Sequence, residues 1–203
     1  MHARAIACLG RDTAGVIGID LPDAPAEDEV LVEKRYACLS PGTDRRCLSL
    51  AQGGGPQPPF ELGYSSVGTV VAAGAQAGVA VGTRVFCTGT RHLGVASCWG
   101  AYTSHGLHGG REVLPIPEGV SLEQAALTKL AAISYHGLRL SQVQPHHKVA
   151  VVGLGMIGQL AARLYHAAGA TVVAADMQER RRAAAAAHGI GIASAADGDL
   201  RRA

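Results

Sequence analysis

The chain is poor in aromatic residues, with two Phe, five Tyr and one Trp among 203 positions, and only 17% of it is charged. Its formal net charge is +2, and no run of Lys and Arg alternates with aromatic rings. Nucleic acid is therefore not expected as a partner, because such binding draws on basic clusters and stacking platforms. Long apolar runs are missing as well. "KVAVVGLGMIG" is short and broken by glycine, so no membrane association is expected. The first residues, "MHARAIACLGRDTAG", lack the basic segment and apolar stretch of a signal peptide. No CxxC pair occurs, and the five cysteines form an odd set, which predicts reduced thiols and a cytoplasmic protein. What is present is globular in character: 48% hydrophobic residues and a positive mean hydropathy, enough for one large domain or two small ones. The wealth of Ala, Gly and Arg suggests a high-GC bacterial source.

The pattern changes once along the chain. Residues 1–118 read as short strands punctuated by glycine and proline. "RAIACLG" and "GVIGIDL" predict a hairpin around Arg11 to Ala14, and "DEVLVEKRYACLS" alternates as a half-buried strand from Val30 to Tyr36. "SSVGTVVAAG" and "GTRVFCTG" are further strands, and the ensemble predicts an all-β barrel or sandwich-like unit. From residue 119 helices enter. "SLEQAALTKLAAISYHGLR" opens with a capping box, Ser121 and Gln124, and predicts one amphipathic helix. "KVAVVG" predicts a strand buried on both faces, followed by a helix in "IGQLAARLYHAAGA", a second buried strand in "TVVAAD" and a helix in "QERRRAAAAAHG". This βαβα order predicts a parallel sheet in residues 119–203.

The glycine-rich turn Gly153-Leu154-Gly155-Met156-Ile157-Gly158 stands where such a turn has chemical meaning, directly after a strand and opening a helix. Gly153 makes the tight turn, Gly155 lets a pyrophosphate approach the backbone, and Gly158 lets the helix pack on the strand. The helix N-terminus offers N–H groups and partial positive charge to phosphates. Asp176 closes the second strand, where a carboxylate accepts hydrogen bonds from a ribose diol and repels a 2′-phosphate. The cofactor predicted is NAD, with NADP disfavoured; Arg180, Arg181 and Arg182 are expected on a solvated helix face, with one of them accommodating a 2′-phosphate as the alternative.

With the β-rich unit first and the dinucleotide loop second, the chain resembles the medium-chain dehydrogenase/reductase family. The resemblance rests on "YACLSPGTDRR", "LGYSSVGTVVAAGAQAGVAVGTRVF", "VLPIPEGVSLEQAAL" and "VAVVGLGMIGQLAA", in family order. It implies a GroES-like β-barrel domain followed by a Rossmann doubly wound domain, with an active site in the cleft between them. It also implies an oxidoreductase moving hydride between NAD(H) and a small-molecule secondary alcohol or ketone, such as a polyol, sugar or amino alcohol. Reduction of an enone or quinone is the alternative within the same family.

The departures concern zinc. Pro41 stands where zinc-dependent members carry a cysteine ligand, and Gly63-Tyr64-Ser65 stands where they carry Gly-His-Glu. Three protein ligands are needed for catalytic zinc, and these positions do not supply them. The resemblance thus implies a zinc-free branch, and no metal is expected. Cys87, His92, Cys98, His105 and His108 lie close in sequence, but their spacing fits no regular zinc site and the region reads as loop. Without a Lewis acid, a hydroxyl must stabilise the developing alkoxide. By position Tyr64 would donate a hydrogen bond to the substrate oxygen and Thr43 would pass its proton, with Ser40 and Ser65 as weaker candidates.

The sequence runs only 27 residues past Asp176, where a six-stranded doubly wound domain would need about 100 more residues. The expectation is a C-terminally truncated Rossmann unit. It would be an inactive remnant, a fragment of an active enzyme, or a unit completed by a second chain or a homo-oligomeric partner. "GIGIASAADGDLRRA" is expected to begin a third strand and end as a polar tail.

Overall fold

The computed structural model describes residues 1–50, 56–91, 96–97 and 99–192. Its contacts divide the chain into two compact units, Met1–Thr128 and Lys129–Ala203. Among the described residues no helix is long and apolar enough to cross a membrane.

The first unit is built from two sheets. Strands β1 (His2–Gly10) and β2 (Thr13–Asp20) form the hairpin that the sequence predicts. Its turn places Asp12 at φ 50°, a left-handed conformation that Asp tolerates better than most residues. Short strands β4 (Phe60–Glu61) and β7 (Ala96–Ser97) complete this sheet in the order β2-β1-β4-β7. The second sheet, β8-β3-β5-β6-β9, joins β3 (Glu29–Ala37), β5 (Ser66–Ala73), β6 (Arg84–Cys87), β8 (His105–Gly109) and β9 (Leu114–Pro115). Residues 102–104 stitch the sheets together: Ile6 N–H donates to the Tyr102 carbonyl, Ser104 N–H to that of Arg4, and Lys34 N–H to that of Ser104.

Strand β3 differs from its expected alternation. Val30, Leu31 and Val32 are all buried. Leu31 packs with Ala3, Ala5, Ile19, Leu21 and Leu107, while Val30 and Val32 pack with Val70, Val85 and Val113. The strand lies between β8 and β5 and feeds an apolar cluster on each face, so both faces are covered. Phe60 and Leu107 are fully buried, and each contributes about 1.5–3 kcal/mol through burial. The segment around His105 and His108, expected as loop, is strand β8, and His108 is buried. His92 and Cys98 lie outside the described residues. A helix that the pattern did not predict, α1 (Pro41–Leu50), follows β3, with proline at its first position.

The single helix expected from Ser121 is two. The capping box forms as predicted, with Ser121 Oγ accepting from Gln124 N–H and Gln124 Oε1 accepting from Ser121 N–H. Helix α2 ends at Ala125, and α3 runs Thr128–Ser141. Ser65 Oγ donates at 2.9 Å to the Ala126 carbonyl, an acceptor that an unbroken helix would give to the N–H four residues on.

The second unit holds a three-stranded parallel sheet, β10-β11-β12, of β10 (Lys148–Val152), β11 (Thr171–Ala175) and β12 (Gly191–Ile192). Helices α4 (Met156–Ala167) and α5 (Glu179–Ala186) connect them. Leu154, Ala162, Val172, Ala174, Ala185 and Ile190 form the core. Strand β10 was expected to be buried on both faces, but it is the outer strand of this sheet and Val152 is 75% exposed. Val149 and Val151 alone turn toward the core. The last eleven positions, where the polar tail is expected, lie outside the described residues.

Candidate functional site

In the second unit the glycine turn has the form its residues demand. Gly153 sits at φ +91°, closed to side-chain-bearing residues at low cost, and its N–H donates to the Ala175 carbonyl at 2.7 Å. A methyl group on Gly158 would overlap the Gly153 carbonyl oxygen, so helix α4 approaches the turn as closely as glycine allows. Gly155 is the N-cap, and no side chain caps the helix there. The first-turn N–H groups of Met156 and Ile157 therefore meet no capping side chain, the condition under which a helix N-terminus receives an anion.

Asp176 is buried at the end of β11, and its carboxylate clasps the turn. Oδ2 accepts from Leu154 N–H at 2.7 Å and Oδ1 from Gln178 N–H at 2.7 Å. The Gln178 N–H, then the Leu154 N–H, and to a lesser degree the Arg181 charge at 3.4 Å hold this carboxyl below the usual carboxylate range. A cavity of about 380 Å³ opens beside it, lined by Val152, Gly153, Met177, Gln178 and Arg181 among others. Two of the three arginines expected on a solvated face are engaged. Arg181 reaches Asp176, and Arg182 donates to the carbonyls of Asp176 at 2.7 Å and Met177 at 3.0 Å. Gln159 adds a tie that sequence reasoning missed, donating from Nε2 to the Arg181 carbonyl at 2.7 Å.

In the first unit Thr43 stands half-buried in the first turn of α1, with the Ser40 hydroxyl 3.2 Å from its own. The neighbouring Asp44 is buried and accepts through Oδ2 from Ser40 N–H at 2.9 Å and from the Tyr102 hydroxyl at 2.7 Å. Tyr64 is half-buried in the bend before β5, and its ring meets that of Trp99 edge-on, centroids 5.6 Å apart. Trp99 is the sole tryptophan; it is 54% exposed and has φ 74°. Neither Tyr102 nor Trp99 carried a sequence signal, since each acts through residues distant along the chain.

The donor chemistry at the three positions does not suit a zinc ion. Pro41 has no donor atom, Ser65 gives its hydroxyl proton to Ala126, and Tyr64 packs on Trp99. Deeper in the barrel lies a second polar group. Glu61 is fully buried with both carboxylate oxygens unpartnered among the described residues, and burial pushes it up to about 8 against the opposing pull of Lys34. Burial brings Lys34 down to about 8, and its ammonium donates to the carbonyls of Gly89 at 3.2 Å and Ala101 at 3.4 Å.

Comparison with known proteins agrees with this architecture. Residues 26–118 match the alcohol dehydrogenase GroES-like domain. An uncharacterized zinc-type alcohol dehydrogenase-like protein of Escherichia coli is 27% identical over 83% of this chain and 56% of its own length. The 2-desacetyl-2-hydroxyethyl bacteriochlorophyllide A dehydrogenase of Cereibacter sphaeroides is 31% identical over 83% of this chain and 54% of its own. Among solved structures, a protein of Sinorhizobium meliloti described as a zinc-binding dehydrogenase, with NADP bound, superposes with a TM-score of 0.82 at 25% identity. That match covers 98% of this chain and 64% of the other. The chain thus spans about half the length of the curated relatives it matches. A GroES-like barrel followed by Rossmann-type strands and helices, with matches of this reach, makes the chain similar to the alcohol dehydrogenase-like proteins of the medium-chain dehydrogenase/reductase family.

Proposed function

We propose that the chain belongs to a zinc-independent oxidoreductase that moves hydride between NAD(H) and a secondary alcohol or ketone. The observation that carries this reading is the clasp of Asp176 on the glycine turn beside an open cavity. A nicotinamide dinucleotide is supported by the relative solved with NADP, and a secondary alcohol by the relative named for a hydroxyethyl group. The turn 153–158 would hold the pyrophosphate through backbone N–H groups, and Asp176 would accept from the adenosine ribose hydroxyls. Because Asp176 stays ionised, a 2′-phosphate would meet a fixed negative charge, which favours NAD over NADP. Arg181 lines the same cavity and softens that preference.

The bound nicotinamide supplies the hydride acceptor or donor, and the remaining work belongs to this chain's side chains. In this reading the Thr43 hydroxyl holds the proton of the substrate oxygen. The Ser40 hydroxyl at 3.2 Å relays it, and the Tyr64 phenol donates to the oxygen as negative charge grows there. No step requires a metal, in keeping with Pro41, Tyr64 and Ser65 as the donor set.

Titration of NADH and NADPH into the 203-residue chain, followed by calorimetry, tests the cofactor half. The expected result is tighter binding of NADH than of NADPH, with the gap closed in Asp176→Ala. Equal binding of both by the wild-type chain, or binding of neither by folded protein, refutes it.

A further inference from the structure

We infer that Tyr102 is a positioning residue: its hydroxyl fixes the helix that carries Thr43 while its ring fixes the turn that carries Tyr64. This rests on the reading above, in which Thr43 and Tyr64 act on the substrate oxygen. Tyr102 is 7% exposed and reaches in two directions. In one, its hydroxyl donates to Asp44 Oδ2 at 2.7 Å, with the Cys38 carbonyl a further acceptor at 3.1 Å. Asp44 follows Thr43 directly, and the same oxygen takes the Ser40 N–H whose residue places its hydroxyl beside that of Thr43. In the other direction the ring lies flush on Gly63, the residue before Tyr64. A methyl group there would overlap ring carbons Cδ1 and Cε1 of Tyr102, and Gly63 holds φ +89°. Two backbone bonds keep this contact in register, Tyr102 N–H to the Leu62 carbonyl at 3.1 Å and Ala101 N–H to that of Gly63 at 2.9 Å.

The chemistry suits a permanent tie. Burial, reinforced by Asp44, pushes the Tyr102 phenol well above its ordinary range, so it stays a donor at every working pH. Asp44 Oδ1 is buried without a partner among the described residues, so the carboxylate relies on Oδ2 and on Tyr102 to remain where it is. Loss of the phenol proton donor leaves that buried charge with the Ser40 N–H as its one described side-chain contact, a situation that drives local rearrangement. One side chain thus sets the separation between the two groups assigned to the reaction.

The test uses the full 203-residue chain and two variants. Tyr102→Phe keeps the ring on Gly63 and removes the hydroxyl, and Tyr102→Leu removes both holds. Threonine-methyl NMR reads Thr43, and the fluorescence of Trp99, whose ring packs on Tyr64, reads the other half. The expected result is a displaced Thr43 signal with unchanged Trp99 emission in Tyr102→Phe, and changes in both for Tyr102→Leu. A Thr43 signal unmoved in Tyr102→Phe overturns the inference, as does a Trp99 change of equal size in both variants, which means that the barrel has merely loosened. If the signals move as expected while Thr43→Val and Tyr64→Phe leave turnover untouched, the positional coupling stands and the assignment of those two residues to catalysis falls.

Discussion

Two glycines of the same turn, three residues apart, should respond to alanine in opposite ways. At Gly158 an added methyl overlaps the Gly153 carbonyl oxygen and lies 2.9 Å from its carbon, both parts of a backbone that cannot step aside without moving helix α4. Overpacking of this kind costs about 1–3 kcal/mol. For a unit of the size of Lys129–Ala203 the melting temperature falls by roughly 4–8 °C per kcal/mol. At Gly155 an added methyl meets nothing within 4 Å, so Gly155→Ala should carry only the N-cap cost of about 1 kcal/mol or less, a fall of at most roughly 4–8 °C. That same methyl stands where the pyrophosphate must approach the backbone, so NADH affinity should fall at least tenfold, about 1.4 kcal/mol. Differential scanning fluorimetry and NADH calorimetry on both variants decide the matter. Unaltered NADH binding by Gly155→Ala would show that no phosphate sits at this turn, and unaltered melting of Gly158→Ala would show that α4 does not press on it.

Four further outcomes follow from the same geometry. Glu61→Gln should stabilise the protein at pH 8. The native carboxyl, raised to about 8 from about 4.5, contributes stability that is complete below 4.5 and lost as pH rises through 8, so the variant's advantage should vanish near pH 4.5 in denaturant titrations. Gly106→Ala places a methyl 2.5 Å from Thr90 Oγ1 and 2.8 Å from Lys34 Cε, and should cost about 1–2 kcal/mol in urea unfolding. Ser121→Ala removes the capping-box acceptor and should cost about 1 kcal/mol in the same assay. If the chain oxidises a secondary alcohol as proposed, Tyr64→Phe should lower kcat at least tenfold with KM little changed; turnover equal to wild type removes the phenol from the reaction.

How far the residues alone reveal this molecule depends on the range of the forces involved. The hairpin at Arg11–Asp12, the capping box at Ser121 and the turn at Gly153 are set by neighbours within a few positions, and all three form where their local signals stand. The burial of β3 on both faces is not local, because Leu31 and Val32 enter different apolar clusters, one on each face of the sheet, and alternation in sequence cannot report that. Strand β10 fails the opposite way. Its continuous apolar run reads as fully covered, yet in this sheet nothing pairs along its outer side among the described residues. The break between α2 and α3 depends on a hydroxyl 61 positions away. In the candidate site, Thr43, Tyr64 and Asp176 were legible as residue types in motifs. Tyr102, Asp44 and Gln159 were not, since their parts are played through single hydrogen bonds across the fold.

The clasp of Asp176 bears on the time course of recognition. Its Oδ2, 2.7 Å from the Leu154 N–H, holds the glycine turn through a bond internal to the chain, while Oδ1 holds the Gln178 N–H beside it. A phosphate entering there finds the loop already ordered, and little chain entropy remains to be lost on binding. Association should therefore run as a single fast phase whose rate rises linearly with ligand concentration, with no slow isomerisation behind it.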